Sequence, residues 1–228
     1  MNQPELQNYR EIADMPLYGV SEAARYIGVN YATLYSWLKP VRFETDDGYS
    51  KKPIITVVGH GLTRLSFLNL VEAFVVKALR TTHGVPLTDI RTAVEYAERK
   101  EGIERLLVHE QLKAGAQGVF IDRLGELINM GRAGQYAMKK ILADRLERIE
   151  FHEGLAFKLF PLVSGVQDKG VVISPLIAFG KPVVSGQAIS TRVIASRFDL
   201  GDTEQELADD YGIKVGEVEE AILYECAA

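Results

Sequence analysis

Residues 17–40, LYGVSEAARYIGVNYATLYSWLKP, decide the fold of the first part of the chain, because they predict a helix-turn-helix. Ser21 is a favourable N-cap residue, so we expect it to begin a first helix that Gly28 ends. Asn30 is expected to cap a second helix, which Pro40 stops. Two helices this short bury little surface alone, and the motif commonly serves to direct its second helix toward a ligand.

The outer face of the predicted second helix carries hydroxyl groups and a cation. Leu34, Trp37 and Leu38 recur at helical spacing, so they are expected to be buried. No carboxylate occurs between residues 30 and 42. Such a face suits phosphates and base edges in a DNA major groove. The predicted DNA contacts here are Tyr31, Thr33, Tyr35, Ser36, Lys39 and Arg42. The alternative is a helical hairpin that only packs a core.

A β-hairpin is predicted a short distance after the second helix. Residues 54–58 and 62–67 are β-prone runs around Gly59-His60-Gly61, whereas residues 41–53 have the composition of a polar loop. A hairpin in this position is the wing of a winged helix-turn-helix, whose cations lie along the sugar-phosphate backbone. The predicted wing contacts are Lys51, Lys52, His60 and Arg64. A solvated turn is the alternative interpretation of these charges.

Further helices are predicted after the hairpin. Residues 66–81 form a strongly apolar pattern that requires packing partners on more than one side. Residues 86–100 predict another helix, which Thr88 is expected to cap. We therefore expect one folded unit up to residue 100. Beyond it, the patterns predict a helix over 103–113, a hairpin formed by 118–121 and 126–129, and a helix over 133–149, with a linking or dimerising role.

The last part of the chain predicts a second helix-turn-helix, with helices over 189–198, 203–211 and 215–224. Residues 1–150 carry 20 Lys and Arg side chains against 19 Asp and Glu, whereas residues 151–228 carry 6 against 12. A DNA contact is therefore expected in the first part only. The last helix should expose Glu217, Glu219, Glu220 and Glu225. These carboxylates would repel DNA phosphates, which favours a protein partner over DNA. A solvated acidic face is the alternative.

Composition and motifs indicate no enzyme. The N-terminus lacks the pattern of a signal peptide, no apolar run reaches the length of a membrane span, and Cys226 is the only cysteine. We therefore expect a cytoplasmic protein. The four histidines are far apart and lack metal-ligand spacing, and no phosphate loop or nucleophile elbow occurs. No cofactor and no metal site are expected.

Two stretches carry a family resemblance. The first resembles the DNA-binding domain of MerR-type regulators through Ser21-Glu-Ala-Ala-Arg25, Gly28-Val29, Thr33-Leu-Tyr-Ser-Trp37 and Leu65-Ser-Phe-Leu-Asn-Leu-Val71-Glu72. In that family the start of the first helix and its trailing arginine touch phosphate, which implies Ser21 and Arg25. Tyr35 stands where the family often has arginine. The second resembles a small bacterial domain, commonly encoded beside PIN-like nucleases, through Gly180-Lys-Pro-Val-Val-Ser-Gly186, Leu200-Gly-Asp-Thr203 and Val218-Glu-Glu-Ala-Ile-Leu-Tyr224.

A chain with these two parts resembles the VapB-type antitoxins of type II toxin–antitoxin pairs. The resemblance implies a mainly α fold with short β hairpins, divided into a MerR-like winged helix-turn-helix (1–100), a linking region (101–165) and an antitoxin-associated domain (166–228). It implies a homodimer that binds palindromic operator DNA and neutralises a PIN-like ribonuclease toxin. The expected toxin contacts are Lys181, Arg192, Arg197, Glu217 and Glu220. The alternative is a stand-alone MerR-like regulator whose last domain dimerises or senses a ligand.

Overall fold

The computed structural model describes residues 3–45, 47–55, 57, 64–162 and 169–227. Across these residues the fold is mainly helical with short antiparallel strand pairs, as predicted. The helices are α1 (Gln3–Ala13), α2 (Val20–Tyr26), α3 (Tyr31–Trp37), α4 (Phe67–His83), α5 (Leu87–Glu101), α6 (Ala116–Leu127), α7 (Arg132–Leu146), α8 (Thr191–Asp199), α9 (Glu204–Tyr211) and α10 (Val215–Ala227). The strands are β1 (Tyr18–Gly19), β2 (Val41–Thr45), β3 (Gly48–Lys52), β4 (Arg64–Leu65), β5 (Ile149–His152), β6 (Leu155–Leu159), β7 (Val171–Val172) and β8 (Val183–Val184).

Helices α2 and α3 form the predicted helix-turn-helix. Gly28 has a positive φ of 63° just after α2, and Asn30 accepts the backbone N–H of Ala32 at 2.8 Å to cap α3. The prediction that Ser21 caps the first helix is wrong. The N-cap is Gly19, whose N–H is accepted by Glu22, and Ser21 lies exposed in the first turn.

The hairpin after α3 lies earlier in the chain than predicted. Strands β2 and β3 pair over residues 41–52, the stretch that was expected to be a polar loop. Phe43 is buried on the inner face of the hairpin. A single apolar residue among polar ones was too weak a signal to predict a strand. Of the predicted hairpin over 54–58 and 62–67, residues 56 and 58–63, including His60, lie outside the described residues. Its described part is different, since Arg64 and Leu65 pair with β1 instead.

Helix α4 lies at the centre of the main core. Every residue from Ser66 to Val76 is buried, and the Ser66 hydroxyl caps the helix by accepting the N–H of Asn69 at 3.2 Å. The core around α4 extends from Tyr9 in α1 to Ile173 after β7 and includes α5, α6 and α7. The prediction that this helix requires packing partners on more than one side is therefore confirmed. The division of the chain at residues 100 and 165 stays a prediction.

One buried carboxylate in α4 requires a charged partner. Glu72 is 2% exposed and pairs with Arg105, whose Nε lies 3.0 Å from the Glu72 Oε1 atom. Arg105 also pairs with Asp14 at the end of α1. Burial lowers the pKa of Arg105, but the two carboxylates outweigh that effect and raise it above its ordinary value. Since removing one member of a buried pair leaves an uncompensated charge, this group ties α1 and the segment after α5 to α4.

The middle region differs most from its predicted structure. Residues 118–121 and 126–129 belong to helix α6 and its end, so the predicted hairpin is wrong. The helix predicted over 103–113 is two short 3-10 turns, Leu106–Val108 and Glu110–Leu112. Helix α7 confirms the helix predicted over 133–149 apart from its end, because strand β5 begins at Ile149. Thr88 does not cap α5, whose N-cap is Pro86.

The three predicted helices of the last part are confirmed as α8, α9 and α10. Thr203 caps α9 by accepting the N–H of Glu206 at 3.2 Å, and Gly212 ends it with a φ of 65°. The helices enclose a small core separate from the main one, made of Val184, Ile194, Leu207, Ala208, Val218 and Ala221. Helix packing and capping therefore define this part locally.

Trp37→Ala should lower the free energy of unfolding by about 3–5 kcal/mol, because truncating a buried aromatic leaves a cavity. Trp37 is 2% exposed and its carbonyl accepts the N–H groups of Ile54 and Ile55. Denaturant unfolding followed by circular dichroism measures the change. Tyr136→Ala is the control, since Tyr136 is 74% exposed on α7 and its truncation should change little. Equal stability of both variants would contradict the placement of Trp37 in the core.

Candidate nucleic-acid and protein interfaces

Two tyrosines on the outer face of α3 and one lysine just after the helix form a stripe of contacting side chains. The rings of Tyr31 and Tyr35 are stacked, with centroids 5.8 Å apart and planes 9° apart. The Lys39 ammonium lies 4.6 Å from the centroid of the Tyr35 ring. Residues four apart on a helix are neighbours, so these three side chains form one stripe. Its hydroxyls and cation are suited to phosphate oxygens and base edges.

Thr33 and Ser36 complete the exposed surface of α3. Both are exposed, and the Ser36 hydroxyl donates to the Thr33 carbonyl at 2.7 Å. Leu34, Trp37 and Leu38 are buried behind them, as the helical spacing predicted. The helix therefore has one apolar face held by the core and one polar face available to a ligand.

The hairpin β2–β3 carries part of the predicted wing charge. Arg42 faces Lys51 across the two strands, and the Arg42 guanidinium lies 4.2 Å from the centroid of the exposed Tyr49 ring. Lys52 is turned toward α5, where its Nζ atom lies 3.0 Å from the Glu95 carboxylate. Burial raises the pKa of Glu95, but hydrogen bonds from Lys52 and Arg91 lower it below its ordinary value. Arg42 and Lys51 are thus better placed for DNA than Lys52.

Arg64 and Ser21 lie away from this stripe in the chain but remain at the surface. The Arg64 guanidinium donates to the Leu17 carbonyl at 3.3 Å, next to the β1–β4 pairing. Ser21 is exposed on the first turn of α2. Both residues stay predicted phosphate contacts.

Arg25 is held by the last helix of the chain. Its guanidinium lies 2.8 Å from the Glu225 carboxylate, and Glu225 also accepts a hydrogen bond from the Thr191 hydroxyl at 2.5 Å. Burial lowers the pKa of Arg25, but the hydrogen bond and charge of Glu225 raise it above its ordinary value. The adjacent Tyr224 hydroxyl donates to the Tyr26 carbonyl at 3.1 Å. The expectation that Glu225 is exposed is wrong, because its side chain is only 10% exposed.

A cleft of about 460 Å³ opens between α2 and α8. It brings Arg25 together with three residues that the sequence nominated for protein contact, namely Lys181, Arg192 and Arg197. Val193 and Leu200 add exposed apolar surface to its lining. Nothing in the local sequence could place Arg25 in this cleft, because its partner Glu225 is 200 residues away.

The cations of the cleft differ in how far they are already engaged. Arg197 donates to Asp202 at 2.5 Å and to Asp210 at 2.7 Å, so its charge is offset within the same part of the chain. Lys181 and Arg192 are exposed and form no ion pair with any residue that the structure describes. Glu217 and Glu220 are not among the described residues that line this cleft.

The described residues contain no group of three or more His, Cys, Asp or Glu side chains that could hold a metal ion. A search for membrane spans in the same part of the chain found no helix with the required length and apolar character.

Comparison with protein families identifies both ends of the chain. Residues 16–94 match the family described as "Putative DNA-binding HTH domain", and residues 171–224 match "Protein of unknown function (DUF433)". The chain is 30% identical to a protein of Mycobacterium tuberculosis (strain ATCC 25618 / H37Rv) named "Putative antitoxin VapB45", over 92% of this chain and 93% of that protein. It is 23% identical to "Uncharacterized protein Rv2308" of the same strain, over 92% and 90% of the two chains.

The fold is similar to the crystal structure of Rv2018 from Mycobacterium tuberculosis. The TM-score is 0.71 at 28% identity, and the similarity covers 91% of this chain and 98% of the other. Both the first and the last part of the chain therefore occur together in a solved structure.

Glu225→Gln should increase the affinity of the chain for duplex DNA. The change removes the charge that holds Arg25 and that would repel an approaching phosphate. We expect the slope of log affinity against log salt to steepen by about one, the contribution of one added phosphate contact. A gel-shift titration at several salt concentrations measures this. Glu219→Gln removes an equal charge from an exposed position of α10 and should have the smaller effect. Equal slopes for both variants would contradict the idea that Glu225 keeps Arg25 from contacting DNA.

Proposed function

Because the chain belongs to the family of the Mycobacterium tuberculosis protein named "Putative antitoxin VapB45", we propose that it is the antitoxin of a type II, VapBC-like toxin–antitoxin pair. The single observation that carries the proposal is a similarity that spans nearly the whole of both chains. In this proposal a homodimer binds operator DNA through a MerR-like winged helix-turn-helix and represses its own operon. The same chain neutralises a PIN-like ribonuclease toxin.

The side-chain stripe on the outer face of α3 and the outer face of β2–β3 support the proposal that the chain binds DNA. Tyr31, Tyr35 and Lys39 present hydroxyls and a cation, and Arg42 and Lys51 add charge beside them along the chain. A recognition helix in the major groove with cations along the backbone is the usual arrangement of this motif. A two-fold symmetric dimer would read two half-sites about one helical turn apart.

Lys39→Ala and Arg42→Ala should each weaken binding to promoter DNA across sequences and flatten the salt dependence by about one unit of slope. Each removes one cation from the proposed DNA face, which is why the loss does not depend on sequence. A gel-shift titration with the upstream region of its own operon tests this. Lys139→Ala is the control, since Lys139 is exposed on α7. No binding by the unaltered chain at low salt would refute the DNA-binding proposal.

The cleft between α2 and α8 supports the toxin-binding part. PIN-type nucleases, to which the resemblance points, gather acidic side chains around a metal ion. An exposed lysine and arginine without an ion pair in the described structure, Lys181 and Arg192, complement such a surface. Interface charge mainly sets association rate and specificity, and apolar contacts supply most of the affinity. Val193 and Leu200 lie beside these cations.

The double change Lys181→Glu and Arg192→Glu should abolish capture of the toxin, because it replaces two cations that line the cleft by carboxylates. The test is co-expression with the neighbouring reading frame, scored by pull-down and by growth. Lys214→Glu is the matched control, since it reverses an exposed charge outside the described lining of the cleft. If no PIN-like protein is encoded beside the gene, the stand-alone regulator becomes the better description.

A further inference from the structure

The turn before Lys181 has a backbone conformation that ordinary residues avoid. Three consecutive residues, Ala178, Phe179 and Gly180, have positive φ values of 47°, 54° and 77°. Glycine adopts this region freely, but a left-handed conformation at alanine and phenylalanine brings Cβ too close to the following carbonyl oxygen. For a bulky residue such as Phe179 it is an outlier that the surrounding structure must enforce.

Contacts from two sides hold the turn in place. The buried Tyr18 hydroxyl in β1 donates to the Gly180 carbonyl at 3.0 Å. Tyr18 also lies so close to Gly180 that a Cβ atom there would collide with its hydroxyl. Within the turn, Ile177 and Ala178 pack against a small core of Phe160, Val172 and Val183. The strained conformation is therefore built into the fold by contacts on two sides.

The result of this arrangement is an aromatic side chain directed into solvent. Phe179 is 86% exposed, and Leu176 in the same turn is 49% exposed. Leaving a phenylalanine exposed forgoes the stabilisation that its burial would supply. The backbone strain of this turn and the exposure of its largest apolar side chain each lower the stability of the fold. Backbone strain of this kind is concentrated at functional sites.

The charges beside Phe179 indicate what covers it. Lys181 follows two residues later and lines the cleft with Arg192, and neither forms an ion pair with the described residues. An aromatic anchor two residues from a cation that has no ion pair among the described residues complements an apolar pocket rimmed by carboxylates on a protein. DNA fits less well, because a phosphate surface offers no apolar pocket for the ring.

We propose that Phe179 is the apolar anchor through which this chain docks to an acidic-rimmed pocket on its toxin, with the left-handed turn presenting the ring. The inference rests on the proposed antitoxin function. In this inference the Phe179 ring supplies most of the affinity for the toxin. The cleft cations Lys181 and Arg192 steer the toxin toward the ring. Tyr18 is a positioning residue, because it holds the turn and does not touch the partner.

The test compares Phe179→Asn with Phe179→Tyr in the full chain. Asparagine tolerates a left-handed conformation, so the first variant should unfold at no lower temperature than the unaltered chain. It should bind the purified toxin about tenfold more weakly or worse, as truncated interface anchors do. Phe179→Tyr keeps the ring and should retain toxin affinity. Tyr136→Ala removes another exposed aromatic ring, from α7, and should also retain toxin affinity.

Titration calorimetry for the toxin, gel shifts for DNA and sedimentation for self-association separate the outcomes. If Phe179→Asn binds toxin as tightly as the unaltered chain, the inference is overturned. It is equally overturned if that variant only loses self-association or DNA affinity, which would make a second copy or DNA the occupant. If the unaltered chain does not bind the toxin at all, the antitoxin proposal fails with it. If the unaltered chain binds the toxin and Phe179→Asn binds it equally well, only the inference about Phe179 fails.

Discussion

Every residue of helix α4 from Phe67 to Val76 is buried, and much of the chain packs around this stretch. A helix that is apolar all round is stable only when other elements enclose it. The helix-turn-helix, α5, α7 and strand β6 share its core, and the buried Glu72 binds Arg105 so that its charge is compensated. The orientation of α3, and with it the candidate DNA face, therefore depends on segments as distant as residues 149–159.

Polar contacts at β1 and α2 join the last part of the chain to this unit. Arg25 pairs with Glu225, the Tyr224 hydroxyl reaches the Tyr26 carbonyl, and Tyr18 holds the turn at Gly180. All three contacts involve residues of β1 or α2, beside the candidate DNA face. A partner that moves the last part would change the surroundings of Arg25. In the proposed function, where Arg25 contacts DNA and the adjacent cleft contacts a toxin, the two binding free energies would be coupled reciprocally.

Local signals predicted the elements that local physics controls. The Asn30 cap, the glycine after α2 and the buried stripe of α3 were all readable from residue type and spacing. The predictions failed where the local signal was ambiguous. The segment that forms α6 contains glycines and β-prone residues, yet packing against α5 and α7 keeps it helical. Tertiary burial outweighs intrinsic propensity in such segments.

The sequence by itself determined the two helix-turn-helix patterns, the division of charge between them and the polar face of α3, because each depends on neighbours within a few residues. Only the tertiary structure decided which charges are available. Arg25 meets Glu225, and Lys52 meets Glu95, across separations that no local pattern encodes. The left-handed turn at Phe179 was also invisible in the sequence, because Tyr18 and a small core enforce it from elsewhere in the chain. The local residue pattern specifies helices and strands, whereas the packing of distant elements specifies which charged side chains form ion pairs with one another.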